Sequence, residues 1–386
     1  MGEGGCDLKK VRIIALHLAF GGIEKAICSM ANLFSERYDV EICSVYRMPG
    51  SPAFPLDKRV RVRYLIDEIP NRDAWKASLK NYDAAALLKE SFNALRILKK
   101  KKQAIKEAIR TAEDGIVITT RPEDNVLLSR YGRDEVLKIA QLHRDHAFEG
   151  RLLRDIKKRY GRIDILAMLT PGLADEVREM MRGNNRHTRV VYIPNFLEHF
   201  PRDPANCPRE KTVLGVGRLN EVKRFDLLVR RFCEIHASFS DWKLRIVGEG
   251  ETRNELESLI RSLSAEDYVI LAGRKDSEGV EEEMLKASVF AMTSRSEGFP
   301  FVLLEAESCG LPIIAYDVRV GPGFVVENGS NGWLVPEGND AEYCEKLGSL
   351  MRDEGMRRRM ADAAIKHAAG FSREKVGEIW FSMMGE

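Results

Sequence analysis

Short runs that are apolar almost throughout alternate with longer stretches of helical periodicity along nearly the whole chain. VRIIALHL (11–18), VEICSVY (40–46), GIVITT (115–120), LKIAQLH (137–143) and DILAMLT (164–170) mark the first half. After a break the rhythm restarts with TVLGVGRL (212–219), WKLRIVGEG (242–250), YVILAGR (268–274), SVFAMTS (288–294) and PIIAYDV (312–318). Runs apolar on both faces predict buried strands, and helices between them predict parallel sheets covered on both sides. RVVYIPNF leads into a stretch rich in Pro, Asn and charge, residues 194–210, which is the expected linker. Two such α/β units in tandem would hold a ligand in a cleft near the carboxyl ends of their strands. A long helix is expected over about 83–110. Another is expected over FSREKVGEIWFSMM, with Val376, Ile379, Trp380 and Met383 on one face.

The chain has 386 residues, 44% of them hydrophobic and 31% charged, enough for two cores. No apolar run approaches the ~18 residues of a spanning helix, and MGEGGCDLKK is too polar for a secretory signal. Cys6 stands where an N-terminal acylation signal wants Ser or Thr. The seven cysteines form no CxxC pair and no metal-ligand spacing, which suits reduced thiols in the cytosol. The net charge of +2 conceals an asymmetry: residues 1–205 hold 37 Lys and Arg against 28 Asp and Glu, the remainder 24 against 31. The basic half is expected to face an anionic partner. Lys99–Lys102, inside the long helix, is open to two readings: a solvated helix end, or contact with an anionic membrane surface. Nucleic acid is not expected, because basic and aromatic residues do not interleave as a stacking platform.

The densest candidate chemistry lies in SEGFPFVLLEAESCGLP. Gly298, Phe299 and Pro300 read as a turn, and Val302–Ser308 as the start of an amphipathic helix. Such a turn presents backbone N–H groups and a positive dipole end to an anion. Glu297 and Glu305 on either side would repel a phosphate unless they hold something else, such as sugar hydroxyls; two carboxylates flanking a pyrophosphate seat describe a nucleotide-sugar site. In GVGRLNEVKRFDLLV, Arg218 at a strand end and Lys223 before the next helix are expected to converge on a pyrophosphate and stabilise its departure. Gly21 and Gly22 let the first loop bring amides close to a ligand; the segment is not GxGxxG, so an NAD site is excluded. His143 and His146 flank Asp145. No third metal ligand is evident nearby, and His143 at a strand end suits a contact to a sugar hydroxyl. Gly248 and Gly250 read as a tight turn, and Gly273 with Arg274 as a contact to a base edge. No GxSxG elbow or HExxH helix is present.

Taken together, GGIEKA, QLHRDH, IPN (193–195), GVGRLNEVKRFDLL, IVGEGE, LAGR, SRSEGFPFVLLEAESCGLPIIA and ENGSNGWLVP resemble the retaining glycosyltransferases of family four. The resemblance implies an α/β GT-B fold, two Rossmann-like doubly wound parallel-sheet domains facing a central cleft. It implies an acceptor-side domain over 1–200, a nucleotide-sugar domain over 201–370, and a terminal helix, 371–386, crossing back to the first domain. Glu297 would contact the donor sugar, with Gly298, Phe299 and Pro300 holding sugar and phosphates. Glu305 would bind the ribose, Arg218 and Lys223 the pyrophosphate. Gly22 would sit near the donor phosphates and His143 near the reacting sugar. The implied reaction moves a hexose-type sugar from a UDP-sugar, without a metal, to a glycan or lipid-linked acceptor in cell-surface polysaccharide synthesis. The implied place is the inner face of the plasma membrane. Other readings of the same residues are a sugar-nucleotide epimerase or hydrolase, or a binding subunit. Phe324, in RVGPGFVVENG, departs from the polar or acidic residue relatives often carry there.

Overall fold

Every apolar run named above contains a strand. The computed structural model describes residues 8–143, 146 and 149–385, and divides into two units, one ending at Ile193 and the other beginning at Pro194. Cys6 and Asp145 lie outside the described residues. The strands of the first unit are β1 (Lys10–Ala15), β2 (Asp39–Tyr46), β3 (Arg61–Ile66), β4 (Ile116–Thr119), β5 (Leu137–Leu142), β6 (Ile165–Met168) and β7 (Arg189–Tyr192). Its helices are α1 (Gly22–Phe34), α2 (Arg72–Lys80), α3 (Ala84–Arg110), α4 (Pro122–Tyr131), α5 (Gly150–Arg159) and α6 (Pro171–Met181). The sheet is parallel, in the order β3-β2-β1-β4-β5-β6-β7, so its direction of growth reverses between β1 and β4.

The second unit repeats the plan. Its strands are β8 (Thr212–Val216), β9 (Lys243–Val247), β10 (Val269–Gly273), β11 (Val289–Met292), β12 (Ile313–Asp317) and β13 (Gly332–Pro336). Its helices are α7 (Phe225–His236), α8 (Arg253–Ser262), α9 (Ser277–Lys286), α10 (Phe301–Ser308), α11 (Pro322–Val325), α12 (Asp340–Arg352), α13 (Glu354–Ala368) and α14 (Arg373–Met384). The order β10-β9-β8-β11-β12-β13 reverses between β8 and β11. Leu228, Phe232, Trp242, Ile246, Val289, Ile314 and the stacked rings of Tyr316 and Tyr343, 4.6 Å apart, fill its core.

Three strands fall outside the apolar runs named above, β3, β7 and β13, and all three are sheet edges, as is β10. An edge strand is half solvated and needs no apolar residues on its outer side. In β3, Arg61 and Arg63 reach across to Asp39 and Glu41 of β2, at 2.7 and 3.1 Å.

Two helices differ from expectation. α10 is not amphipathic: Phe301, Leu303, Leu304, Ala306, Glu307 and Ser308 are all buried, because it sits inside the unit rather than on it. In α14 the buried stripe is Val376, Gly377, Trp380, Phe381 and Met384, while Ile379 is exposed. Phe381 and Met384, with the small Gly377, move the stripe about one position from the face the sequence suggested. α3 forms as expected, with the Asp83 carboxylate accepting from the Ala86 N–H at 2.9 Å.

Candidate functional site

The crevice where strand order reverses is where open parallel sheets receive ligands. In the second unit it is flanked by the loops after β8 and β11, and these two loops are tied together. The Arg295 N–H donates to the Val222 carbonyl at 2.8 Å, and the Thr293 hydroxyl donates to the carbonyls of Lys223 and Arg224 at 3.2 and 2.8 Å. Asn220 Oδ1 accepts from the Lys223 N–H at 3.1 Å. Across the join, Lys223 Nζ donates to Glu297 Oε1 at 2.6 Å, with side chains only 21% and 11% exposed. The tied loop backbones therefore bring this cation within reach of this carboxylate. Arg218 does not join them. Its side chain is 71% exposed, and its Nε lies 3.6 Å from Glu251.

Beyond Glu297, Gly298 is half-buried, Phe299 and Pro300 are buried, and Pro300 caps α10 without a side-chain hydrogen bond. The N–H groups of Phe301 and Leu303 donate to the carbonyls of Phe299 and Pro300 at 3.0 and 2.9 Å, so those two donors are not available to an anion. Glu305 lies half-buried on α10, and Arg274 is exposed after β10. Gly248 lies against the backbone of Gly217 with φ +155°, where a Cβ would overlap the Gly217 carbonyl. This turn seats the β9 loop on the β8 loop, in keeping with a tight turn rather than a phosphate seat. Gly321 packs just as closely on the Glu297 turn: at φ +106°, a Cβ there would lie 2.7 Å from Glu297 Cβ and 3.1 Å from Pro300 Cδ. Gly321→Ala is therefore expected to cost roughly 1–3 kcal/mol of stability, measurable by denaturant unfolding.

Behind the turn, the Phe299 ring lies 6.4, 5.9 and 6.2 Å from those of Phe301, Phe324 and Phe371. Phe324, the residue that departs from the family pattern, thus buttresses the turn. Next to this cluster His367, 5.2 Å from Phe371, places Nδ1 2.9 Å from Glu307 Oε2. The Asn331 amide donates to Glu307 Oε1 at 2.6 Å and to the Val325 carbonyl at 3.2 Å. Burial pushes the Glu307 carboxyl up to about 7, although His367 and Asn331 favour its charged form. The hydrogen bond to Glu307 in turn raises His367. Sequence reasoning missed Glu307. A signal was present: Glu305 and Glu307 are two apart and face opposite sides of a helix, so both could not face one ligand.

The first unit has a polar cluster at its own strand reversal. α1 begins at Gly22, which faces open space, and the carboxylate of Glu24 folds over Gly21. Glu24 is buried, 3.5 Å from His17 Nδ1 at the end of β1 and 3.4 Å from Arg121 at the end of β4. His143 follows β5, half-buried, with Nε2 3.1 Å from Gln141 Oε1. Burial, then the Arg121 charge, push its imidazole down to about 4. His143 is thus neutral near pH 7. If Nε2 donates to the amide oxygen, Nδ1 carries the free lone pair. His146 is buried and pairs with Glu176 at 2.9 Å. Among the described residues no group of three or more His, Cys, Asp or Glu could hold a metal ion. His17, Glu24 and Arg121 were not singled out from the sequence; the acidic residue in the first turn of GGIEKA was the available sign.

With this geometry in place, the family Glycosyl transferases group 1 matches residues 198–367, which hold Arg218, Lys223, Glu297 and Glu305. That match lies wholly within the second unit. Among curated proteins, the chain is 29% identical over 380 residues to an exopolysaccharide phosphotransferase of Streptomyces coelicolor. The match covers 95% of this chain but 39% of that protein's length. It is 26% identical over 377 residues to the amylovoran biosynthesis glycosyltransferase AmsD of Erwinia amylovora, covering 93% of this chain and 95% of AmsD. The crystal structure of S. aureus TarM in complex with UDP superposes with a TM-score of 0.78, covering 98% of this chain and 100% of TarM. At 14% identity that likeness concerns the fold, which is α/β of the GT-B type.

Proposed function

We propose that the chain is a retaining hexosyltransferase that uses a UDP-sugar, without a metal, and glycosylates a glycan or lipid-linked acceptor in cell-surface polysaccharide synthesis. The observation that carries the reading is the Lys223–Glu297 pair in the β8/β11 crevice. A cation set beside a carboxylate at a strand reversal matches a ligand with an anionic part next to hydroxyls. On donor binding, Lys223 turns from Glu297 to the pyrophosphate, and Glu297 is left to accept hydrogen bonds from the sugar. Arg218, mobile enough on the surface to leave Glu251, closes on the diphosphate, and Glu305 takes the ribose hydroxyls. His143, neutral in the first unit, is the residue to which the resemblance assigns a hydrogen bond with the sugar.

The chemistry needs no protein nucleophile. The bond from the anomeric carbon to the phosphate oxygen breaks, and the acceptor oxygen bonds to the same face. The departing phosphate oxygen takes the acceptor's proton. Lys223 and Arg218 stabilise the charge that grows on the diphosphate. The name of AmsD, a biosynthetic enzyme of an extracellular polysaccharide, supports the setting, and UDP in TarM supports the donor class.

The test is incubation with UDP-sugars and candidate acceptors, with the anomeric configuration of the product read by NMR. An α-linked donor should give an α-linked product, and Glu297→Gln should abolish it while remaining folded. Inversion would overturn the retaining mechanism. Equilibration or hydrolysis of donor alone, without transfer, would favour an epimerase or hydrolase.

A further inference from the structure

We infer that the outward face of α3 is a docking surface for an anionic lipid bilayer. Its first three turns stand clear of the core: the buried residues of α3 are Ile97, Ile105, Ala108 and Ile109, none of them before position 97. Leu88, Phe92 and Leu95 recur at the spacing of one helix face and, with Leu98, are between 57% and 74% exposed. Tyr82, in the turn that leads into α3, is 94% exposed. An apolar stripe of this size on a surface calls for an occupant.

Charge selects the occupant. Lys89, Arg96, Lys99 and Lys102 are exposed on the same helix and flank the stripe. Of the acidic residues of α3, Glu90 is half-buried and accepts from the Asn71 amide at 2.7 Å, which leaves Glu107 exposed a few turns away. A protein partner is not required to be anionic, whereas leucine and phenylalanine bordered by lysine and arginine match the boundary between acyl chains and acidic headgroups. The lysine run contributes less than its sequence suggests. Lys100 pairs with Glu68 and Lys101 with Glu123, so the available belt is Lys89, Arg96, Lys99 and Lys102. Among the described residues no helix is long and apolar enough to cross a membrane, and α3 would lie on the bilayer.

The test is co-sedimentation of the full chain with vesicles of phosphatidylcholine, alone or mixed with phosphatidylglycerol. It reads partitioning and not turnover, so its outcome is independent of the sugar-transfer reading. Wild type should bind the mixed vesicles, bind neutral ones weakly, and be released by salt. Phe92→Ser with Leu95→Ser should weaken binding about a hundredfold. Lys99→Gln with Lys102→Gln should weaken it about 25-fold, roughly fivefold per charge. All four positions are exposed, and circular dichroism checks that the variants fold. The inference is overturned if wild type ignores anionic vesicles, or if the Ser pair binds as wild type does. It is also overturned if the chain is a dimer that the Ser pair converts to a monomer while vesicle binding is absent, since a second copy then covers the face.

Discussion

Lys223→Ala is expected to lower kcat/KM for sugar transfer by about 10²–10³-fold, the usual effect of removing one preorganised donor from a developing charge. Two losses combine. The departing diphosphate loses its cation, which lowers kcat. Glu297, only 11% exposed, is left without the partner at 2.6 Å and repels the incoming pyrophosphate, which raises KM for the donor. Lys223→Ala with Glu297→Gln should therefore recover part of the donor affinity, read by titration because Glu297→Gln itself abolishes transfer, and none of the kcat, because only the repulsion has been removed. Steady-state kinetics with the donor varied separates the two. A loss below about threefold in the single variant would take Lys223 out of the reaction.

Glu307→Leu is expected to destabilise the second unit by about 3–5 kcal/mol, because it strands His367 and the Asn331 amide in a buried site. The milder Glu307→Gln tests the same network through pH. The Glu307 carboxyl is raised from its ordinary 4.5 to about 7, so the folded chain binds more protons than the unfolded one between those values. Its contribution is full below about pH 4.5 and is lost as pH rises through 7; His367, also raised, has the same sign. The wild-type unfolding free energy should therefore fall relative to Glu307→Gln between pH 5 and pH 8, by an amount on the order of 2–3 kcal/mol at most. Asp124, raised to about 7, and His143, lowered to about 4, lie in the first unit, are common to both proteins and cancel in the difference. Denaturant unfolding of both proteins across that range gives the slope. A difference that is flat or rises with pH would contradict the protonation assigned to the pair.

The buried parallel strands were legible in the sequence because burial on both faces leaves a nearly unbroken apolar run. The edge strand β3 was not, since half of it faces water and Arg61 and Arg63 interrupt its pattern. At the site, the sequence identified Lys223 and Glu297 separately, the one just before a helix and the other beside the turn that opens α10. That they touch depends on how the β8 and β11 loops fold over one another, which Thr293 and Arg295 decide through backbone carbonyls far away in sequence. Arg218 was expected beside Lys223 because both follow β8. Four intervening residues of loop instead let its long side chain turn to Glu251. Glu307 and Phe371 escaped notice for a related reason. Their role is to hold the turn from behind, and a buttress has no motif of its own. The lysine run misled in the opposite direction, because its sequence shows four charges but not the Glu68 and Glu123 that neutralise two of them.

The central claim is that the crevice between β8 and β11 seats a nucleoside diphosphate against Lys223. Isothermal titration of UDP into wild type and Lys223→Ala tests it most directly, since no acceptor needs to be known. Saturable binding to wild type, weakened about tenfold or more in the variant, is the result this account predicts. No binding of UDP or of any other nucleoside diphosphate, or equal affinity in the two proteins, would contradict it.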